Sequence, residues 1–147
     1  IRFLGKFHVR YEVDEELYPY KILKFLLQPL VENSFYHGLE PKGGKGNLLL
    51  SIVRKWTVLH IRVEDDGVGM DEQKLAELNR MFETPRQPLI ADTKQHFALY
   101  NVYARIKHFY GSAYGMKISS RVNEGTCVEI TIPAVKEMNP VEHFGGR

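Results

Sequence analysis

Phe7, Val9, Tyr11 and Val13 alternate with His8, Arg10 and Glu12, the two-residue period of a strand with one buried face. After Asp14-Glu15-Glu16 and Pro19 the period lengthens. Leu27, Val31 and Phe35 fall on one helical stripe that stops at Gly38 and Pro41, with Asn33 and His37 roughly opposite it. A loop from Lys42 to Gly46 leads into two strand-like runs, around Leu48 to Val53 and Val58 to Asp65, joined near Trp56-Thr57 as a hairpin. Asp71 reads as the N-cap of a helix to about Phe82 with an acidic first turn. The stretch Glu83 to Gln95, containing Pro85 and Pro88, has no periodicity and is long enough to form a lid. Leu99, Val102, Tyr103, Ile106 and Tyr110 return to helical spacing, stopped by Gly111. Tyr114, Met116 and Ile118 then alternate with Lys117 and Ser119, and Val128, Ile130 and Ile132 with Cys127, Glu129 and Thr131. This order predicts an α+β fold, a two-layer α/β sandwich whose mixed sheet carries its helices on one face. The expected domain is residues 1–134, and beyond it residues 135–147 form an unpatterned tail.

Composition narrows the function classes. A chain of 147 residues with 44% hydrophobic and 26% charged positions is the size and make-up of one folded domain. Twenty basic residues against eighteen acidic ones leave a net charge of +2 without a long basic run, which argues against a nucleic-acid partner. The single cysteine, Cys127, has no partner for an internal disulfide and suggests a reducing compartment. No apolar run approaches the roughly 20 residues that span a bilayer, and no signal peptide opens the chain, so these residues are not expected to touch a membrane. The chain begins at Ile1, not Met, and reads as a piece of something longer.

Parity gives particular residues a chemical meaning. Leu59, Ile61 and Val63 share one face of a strand, and the two-residue period puts Asp65 on that same inward face. A carboxylate at the edge of a core needs a donor: a backbone N–H, a cation, a water or a ligand amine. An Asx-type turn is the plainer solution. Thr126 falls on the face of Val128, Ile130 and Ile132, where its hydroxyl would join the same pocket or bond backbone. Gly67 and Gly69 permit close backbone approach or positive φ. The acidic run from Asp65 to Glu72 lacks the alternating oxygen ligands of a calcium loop. Asn33 offers a neutral carbonyl oxygen of the kind magnesium accepts beside phosphate oxygens and water, or else is a helix-surface asparagine. His37 alone would be a partly exposed helix-end imidazole.

Taken together these motifs resemble the ATP-binding catalytic domain of sensor histidine kinases, in the superfamily that also holds DNA gyrase, Hsp90 and MutL. Gln28-Pro29-Leu30-Val31-Glu32-Asn33 with His37-Gly38 is similar to the asparagine box of the YesM-like subgroup, and Asp65-Asp66-Gly67-Val68-Gly69-Met70 to the first glycine box. Leu99-Tyr100-Asn101-Val102 with Arg105 and Tyr110-Gly111 resembles the end of the second glycine box and its helix, and Gly125-Thr126 the closing signature. The resemblance implies the Bergerat-type fold, with a mostly antiparallel sheet. It implies ATP and Mg2+ as ligands, with Asn33 on the metal and Glu32 and His37 shaping the polyphosphate side. Asp65 would accept from the adenine amine, Gly67 and Gly69 would let the chain pass close to the base, and Thr126 would support the adenine end. Lys42 would reach a phosphate, and Glu83 to Ala98 would be the lid.

Two departures qualify what is implied. Where the family has Gly-x-Gly-Leu, or His-x-Gly-Leu, this chain has His96-Phe97-Ala98-Leu99, so Ala98 stands at a phosphate-cradling glycine and is costly there only if its φ is positive. Pro29 occupies the place of the glutamate base that activates water in the gyrase and MutL type. That favours phosphoryl transfer to a histidine, which requires positioning and charge neutralisation. The phosphoacceptor and dimerisation helices would precede Ile1, with a response regulator downstream and the unit on the cytoplasmic side of a bacterial plasma-membrane sensor. A degenerate scaffold of the same fold is the other reading.

Overall fold

The computed structural model describes residues 7–83 and 94–137. Five strands, β1 (Phe7–Val13), β2 (Gly46–Lys55), β3 (Val58–Asp65), β4 (Gly115–Arg121) and β5 (Gly125–Pro133), form one sheet in the order β1-β2-β3-β5-β4. β1 runs parallel to β2 and the other pairs are antiparallel, giving the mixed, mostly antiparallel sheet that was expected. The parity of β3 holds: Leu59, Ile61, Val63 and Asp65 are buried, and Arg62 faces solvent. On the outer face Arg62 ties three neighbours together, pairing with Glu64 at 3.0 Å and Glu129 at 3.2 Å and approaching the Cys127 sulfur at 3.6 Å.

Three helices, α1 (Gln28–Asn33), α2 (Glu72–Glu83) and α3 (Lys94–Tyr110), close the inner face. Leu30 of α1, Leu78 of α2, and Leu99, Val102, Ile106 and Tyr110 of α3 meet the inward strand residues in one core. Asp71 does cap α2, its carboxylate accepting the Lys74 N–H at 2.8 Å. α3 begins five residues before Leu99, because no glycine or proline interrupts the chain between Pro88 and Gly111. The expected loop and lid therefore lose Lys94 to Ala98 to α3 and Glu83 to α2, and their remaining residues, 84–93, lie outside the described ones.

The segment after β1 departs most from its pattern. Glu15–Leu17 is an unforeseen 3-10 turn, and the single helix expected up to Gly38 is instead α1 followed by a π turn, Ser34–Leu39, and a 3-10 turn, Glu40–Lys42. The wider turn rotates the residues after Asn33 away from a 3.6-residue count, a feature frequent at functional sites. Before α1, Phe25 has φ +61° and an exposed ring. Arg105 of α3 holds that bend by donating to the Phe25 carbonyl at 2.9 Å and the Lys24 carbonyl at 2.5 Å. The Leu23 N–H donates to the buried Tyr110 hydroxyl at 2.9 Å. Residues just past β5 are tied in as well, since Lys21 bridges Val135 and the Ala134 N–H donates to the Thr57 carbonyl at 2.7 Å. Residues 138–147 lie outside the described ones.

Candidate functional site

Three polar residues are buried among the described ones, and all three meet where α1 passes the end of β3: Asn33 is 7% exposed, Ser34 3% and Asp65 8%. Asn33 thus faces the interior, correcting the placement opposite the apolar stripe. Leu27, Val31 and Phe35 are only half-buried, and Leu30 takes the fully buried position. The Asn33 Oδ1 has no hydrogen-bond partner among the described residues. A buried carbonyl oxygen left bare costs about 1–3 kcal/mol, so this position asks for a cation or donor beyond the described residues.

Asp65 answers its own burial in part. Its Oδ1 accepts the Gly67 N–H at 2.9 Å, the Asx-type turn foreseen as the plainer solution. The Ser34 hydroxyl and the Thr126 N–H donate to the same carboxylate. Burial pushes its pKa above the ordinary carboxylate value, the three donors oppose that rise, and the neighbouring Asp66 charge adds to it. A carboxylate has roughly four acceptor positions, so three donors leave about one for a ligand amine.

The glycines bring backbones together around this group. A Cβ at Gly38 would lie 2.8 Å from Asp65 Oδ1, and one at Gly67 would lie 2.4 Å from the Gly38 carbonyl carbon. The Val68 N–H donates to the Gly38 carbonyl at 2.9 Å, fixing that crossing. Gly69, at φ +67°, packs against the Arg121 carbonyl, and Gly125, at φ +94°, against the Asp65 carbonyl. The space left at Gly67, Gly69 and Gly125 is thus taken by protein backbone and that at Gly38 by the Asp65 carboxylate, which sets the depth at which Asp65 sits.

Cross-strand register continues the row outward. Asp65 pairs with Thr126, and Thr126 with Ser120 of β4, so all three share the inner face at one end of the sheet. Thr126 Oγ1 lies 2.9 Å from Ser120 Oγ, which also accepts the Met70 N–H and donates to the Gly125 carbonyl.

Other expected residues fall around this centre. Lys42 donates to the Asp66 carbonyl at 2.7 Å. The Asp66 side chain accepts the Asn47 N–H at 2.8 Å and the Asn47 amide at 2.9 Å. Burial acts upward on Asp66, but the Asn47 donors and the Lys42 ammonium outweigh it and hold its pKa below the usual value. Glu32 accepts from Gln28 Nε2 at 3.0 Å, and His37 is half-buried in the π turn. Ala98 lies inside α3 and is not among the positive-φ residues, so its methyl is unstrained. Leu99 is a core residue, 1% exposed.

Sequence reading missed Ser34 and Ser120. For Ser120 the signal was present: it continues the inward parity of Met116 and Ile118 by one more step. For Ser34 adjacency to Asn33 was the only cue.

Comparison with known proteins places this geometry. The family model for histidine kinase-, DNA gyrase B-, and HSP90-like ATPases matches residues 20–136. Sensor protein LytS of Bacillus anthracis is 30% identical over 132 residues, which cover 90% of this chain and 21% of that protein. Sensor histidine kinase YpdA of Escherichia coli K12 is 34% identical over 132 residues, again 90% of this chain and 21% of the relative. The chain therefore spans about a fifth of these curated relatives. Among solved structures, the catalytic domain of histidine kinase ThkA superposes with a TM-score of 0.58 at 20% identity, covering 88% of this chain and 80% of that one. At that identity the likeness is one of fold.

Proposed function

Because the chain belongs to the family of histidine kinase-, DNA gyrase B- and HSP90-like ATPases, we propose that it is the ATP-binding catalytic unit of a sensor histidine kinase, positioning the γ-phosphate for transfer to a histidine on its parent chain. The observation that carries this reading is the junction of two buried polar groups with unmet valence: the Asn33 carbonyl oxygen and the Asp65 carboxylate, bridged by Ser34. Asp65 has room for one N–H of the adenine amine. Asn33 fits a magnesium ion that takes its remaining ligands from phosphate and water, since no cluster of three acidic, histidine or cysteine side chains stands ready among the described residues. Magnesium, when bound, would neutralise phosphate charge. Glu32 in α1 and His37 in the π turn, five residues apart, would flank the polyphosphate, with Lys42 and the α3 residues Ala98 and Leu99 as its borders.

Pro29 offers no base for water, which supports transfer over hydrolysis. Ala98 sits in α3 without strain, which weakens the scaffold alternative. We assign the role to residues 1–134, with residues 135–147 as a tail. The partners in this reading are ATP or ADP, the parent's own dimerisation and phosphoacceptor helices, and a response regulator, with the unit on the cytoplasmic side of a membrane-anchored sensor. Among the described residues no helix is long and apolar enough to cross a membrane.

Thermal unfolding with Mg2+ and ADP or ATP tests the proposal. Nucleotide at about 100 times its Kd should add about 2.7 kcal/mol to folding stability. Asp65→Asn should abolish that gain, and no shift for the unaltered chain at millimolar nucleotide would refute the reading.

A further inference from the structure

The proton count at the end of the sheet is fixed by its hydrogen bonds. Ser120 has one hydroxyl proton and two lone pairs. Its Oγ lies 2.8 Å from the Gly125 carbonyl oxygen, which can only accept, so the Ser120 proton goes there. One lone pair takes the Met70 N–H at 2.8 Å. The remaining contact, 2.9 Å to Thr126 Oγ1, can then run in one direction only: Thr126 donates and Ser120 accepts. Thr126 is left half-buried on the inner face with lone pairs and no proton to give. Its cross-strand neighbour Asp65 is likewise an acceptor, already holding donations from Gly67, Ser34 and the Thr126 N–H.

We infer that Ser120 is a positioning residue for base selection: by consuming the Thr126 proton it makes this end of the pocket acceptor-only, so that the site takes a 6-aminopurine and rejects a 6-oxopurine. The inference rests on the nucleotide reading above and deepens it. A 6-amino group brings two N–H donors to a face that can only accept. A 6-oxo group brings a carbonyl oxygen against the lone pairs of Thr126, where neither the Thr126 hydroxyl nor the Asp65 carboxylate can donate to it, and a polar group buried without a partner is what discriminates most strongly between otherwise similar ligands. Ser120 does this without touching the base, through the direction of one hydroxyl.

The test is the ratio of affinities for ADP and IDP, measured by calorimetry with Mg2+ on the chain and its variants. The unaltered chain should prefer ADP by about tenfold or more. Ser120→Ala releases the Thr126 proton to serve a 6-oxo oxygen, and the preference should fall by about fivefold to tenfold, chiefly through tighter IDP binding. Ser120→Thr keeps the hydroxyl and should retain the preference. Thr126→Val removes the lone pairs altogether, should also erode the preference, and carries the test if Ser120→Ala does not fold. A purely structural role for Ser120 would weaken ADP and IDP alike. An ADP/IDP ratio unchanged within about twofold in both Ser120→Ala and Thr126→Val would overturn the inference while leaving the nucleotide site standing, whereas binding of neither nucleotide by the unaltered chain would overturn both.

Discussion

Gly38→Ala is the substitution for which the structure supplies the most complete arithmetic. The added Cβ would stand 2.8 Å from Asp65 Oδ1, 3.1 Å from Cγ and 3.3 Å from Oδ2, whereas ordinary contact begins at 3.4 Å. The carboxylate must therefore retreat by about 0.6 Å, or the π turn must move outward by the same amount. Hydrogen-bond distances to nitrogen span only about 2.7–3.2 Å, so a shift of that size carries Asp65 across the whole useful range for a ligand amine. A charged hydrogen bond contributes about 1.5–3 kcal/mol, which converts to a loss of roughly tenfold to a hundredfold in ADP affinity. Folding should suffer less. Gly38 has no positive φ, and an alanine in a helical turn recovers up to about 1 kcal/mol of backbone entropy against the overpacking. The assay is calorimetric ADP binding beside chemical denaturation without nucleotide. Gly67→Ala is the contrast, since its Cβ would sit 2.4 Å from backbone atoms of Gly38 that cannot turn aside, and it should damage the fold itself. A Gly38→Ala chain that binds ADP as tightly as the unaltered one would refute the reasoning.

Asn33→Ala removes an amide oxygen that no described residue uses, so nucleotide-free stability should change by under about 1 kcal/mol while the Mg2+-dependent part of ATP affinity disappears; titrating ATP with and without Mg2+ separates the two. Ala98→Gly restores the residue usual in the family, yet inside α3 it should cost about 1 kcal/mol in denaturation and bring no tighter ATP binding. Asp65 sets two opposite pH trends. Its folded pKa is raised, so its contribution to stability is complete below the ordinary carboxylate value of 3.8 and is lost as pH rises through the raised one. Binding of an amine needs the charged form, so ADP affinity should fall as pH drops through that same raised value, starting earlier than for an exposed carboxylate; parallel melting and binding series from neutral to acid pH would display both signs.

Legibility differed by the kind of order involved. The inward turn of Asp65 could be read directly because a strand has two faces, and Leu59, Ile61 and Val63 left one answer for the next residue in step. The core stripe of α3 was legible for the same reason at a helical period. Asn33 was misplaced because the stripe was drawn through Leu27 and Val31, whereas the buried row runs through Leu26, Leu30 and Asn33, and Phe35 beyond it lies in a π turn that nothing in Ser34-Phe35-Tyr36 announces. The parallel pairing of β1 with β2 depends on what lies between them, which local pattern does not record. The state of Ala98 depended on one dihedral angle, which the start of α3 decides. Ser34 and Ser120 were hidden because a serine is ordinary on any surface, and only the hydrogen bonds around it give it a direction.

The clamp on the segment before α1 governs when the site can exist at all. α1 has six residues and no side-chain cap, far short of the length at which a helix holds in water. What fixes its entry is Tyr110 and Arg105, which reach back across 80 or more positions to Leu23, Lys24 and Phe25. At roughly 5–20 residues per second, a ribosome would need about 4–16 seconds after making α1 to supply these anchors. A nascent chain ending before α3 would carry α1 without these anchors, so the Asn33 end of the site is completed only once α3 has been made.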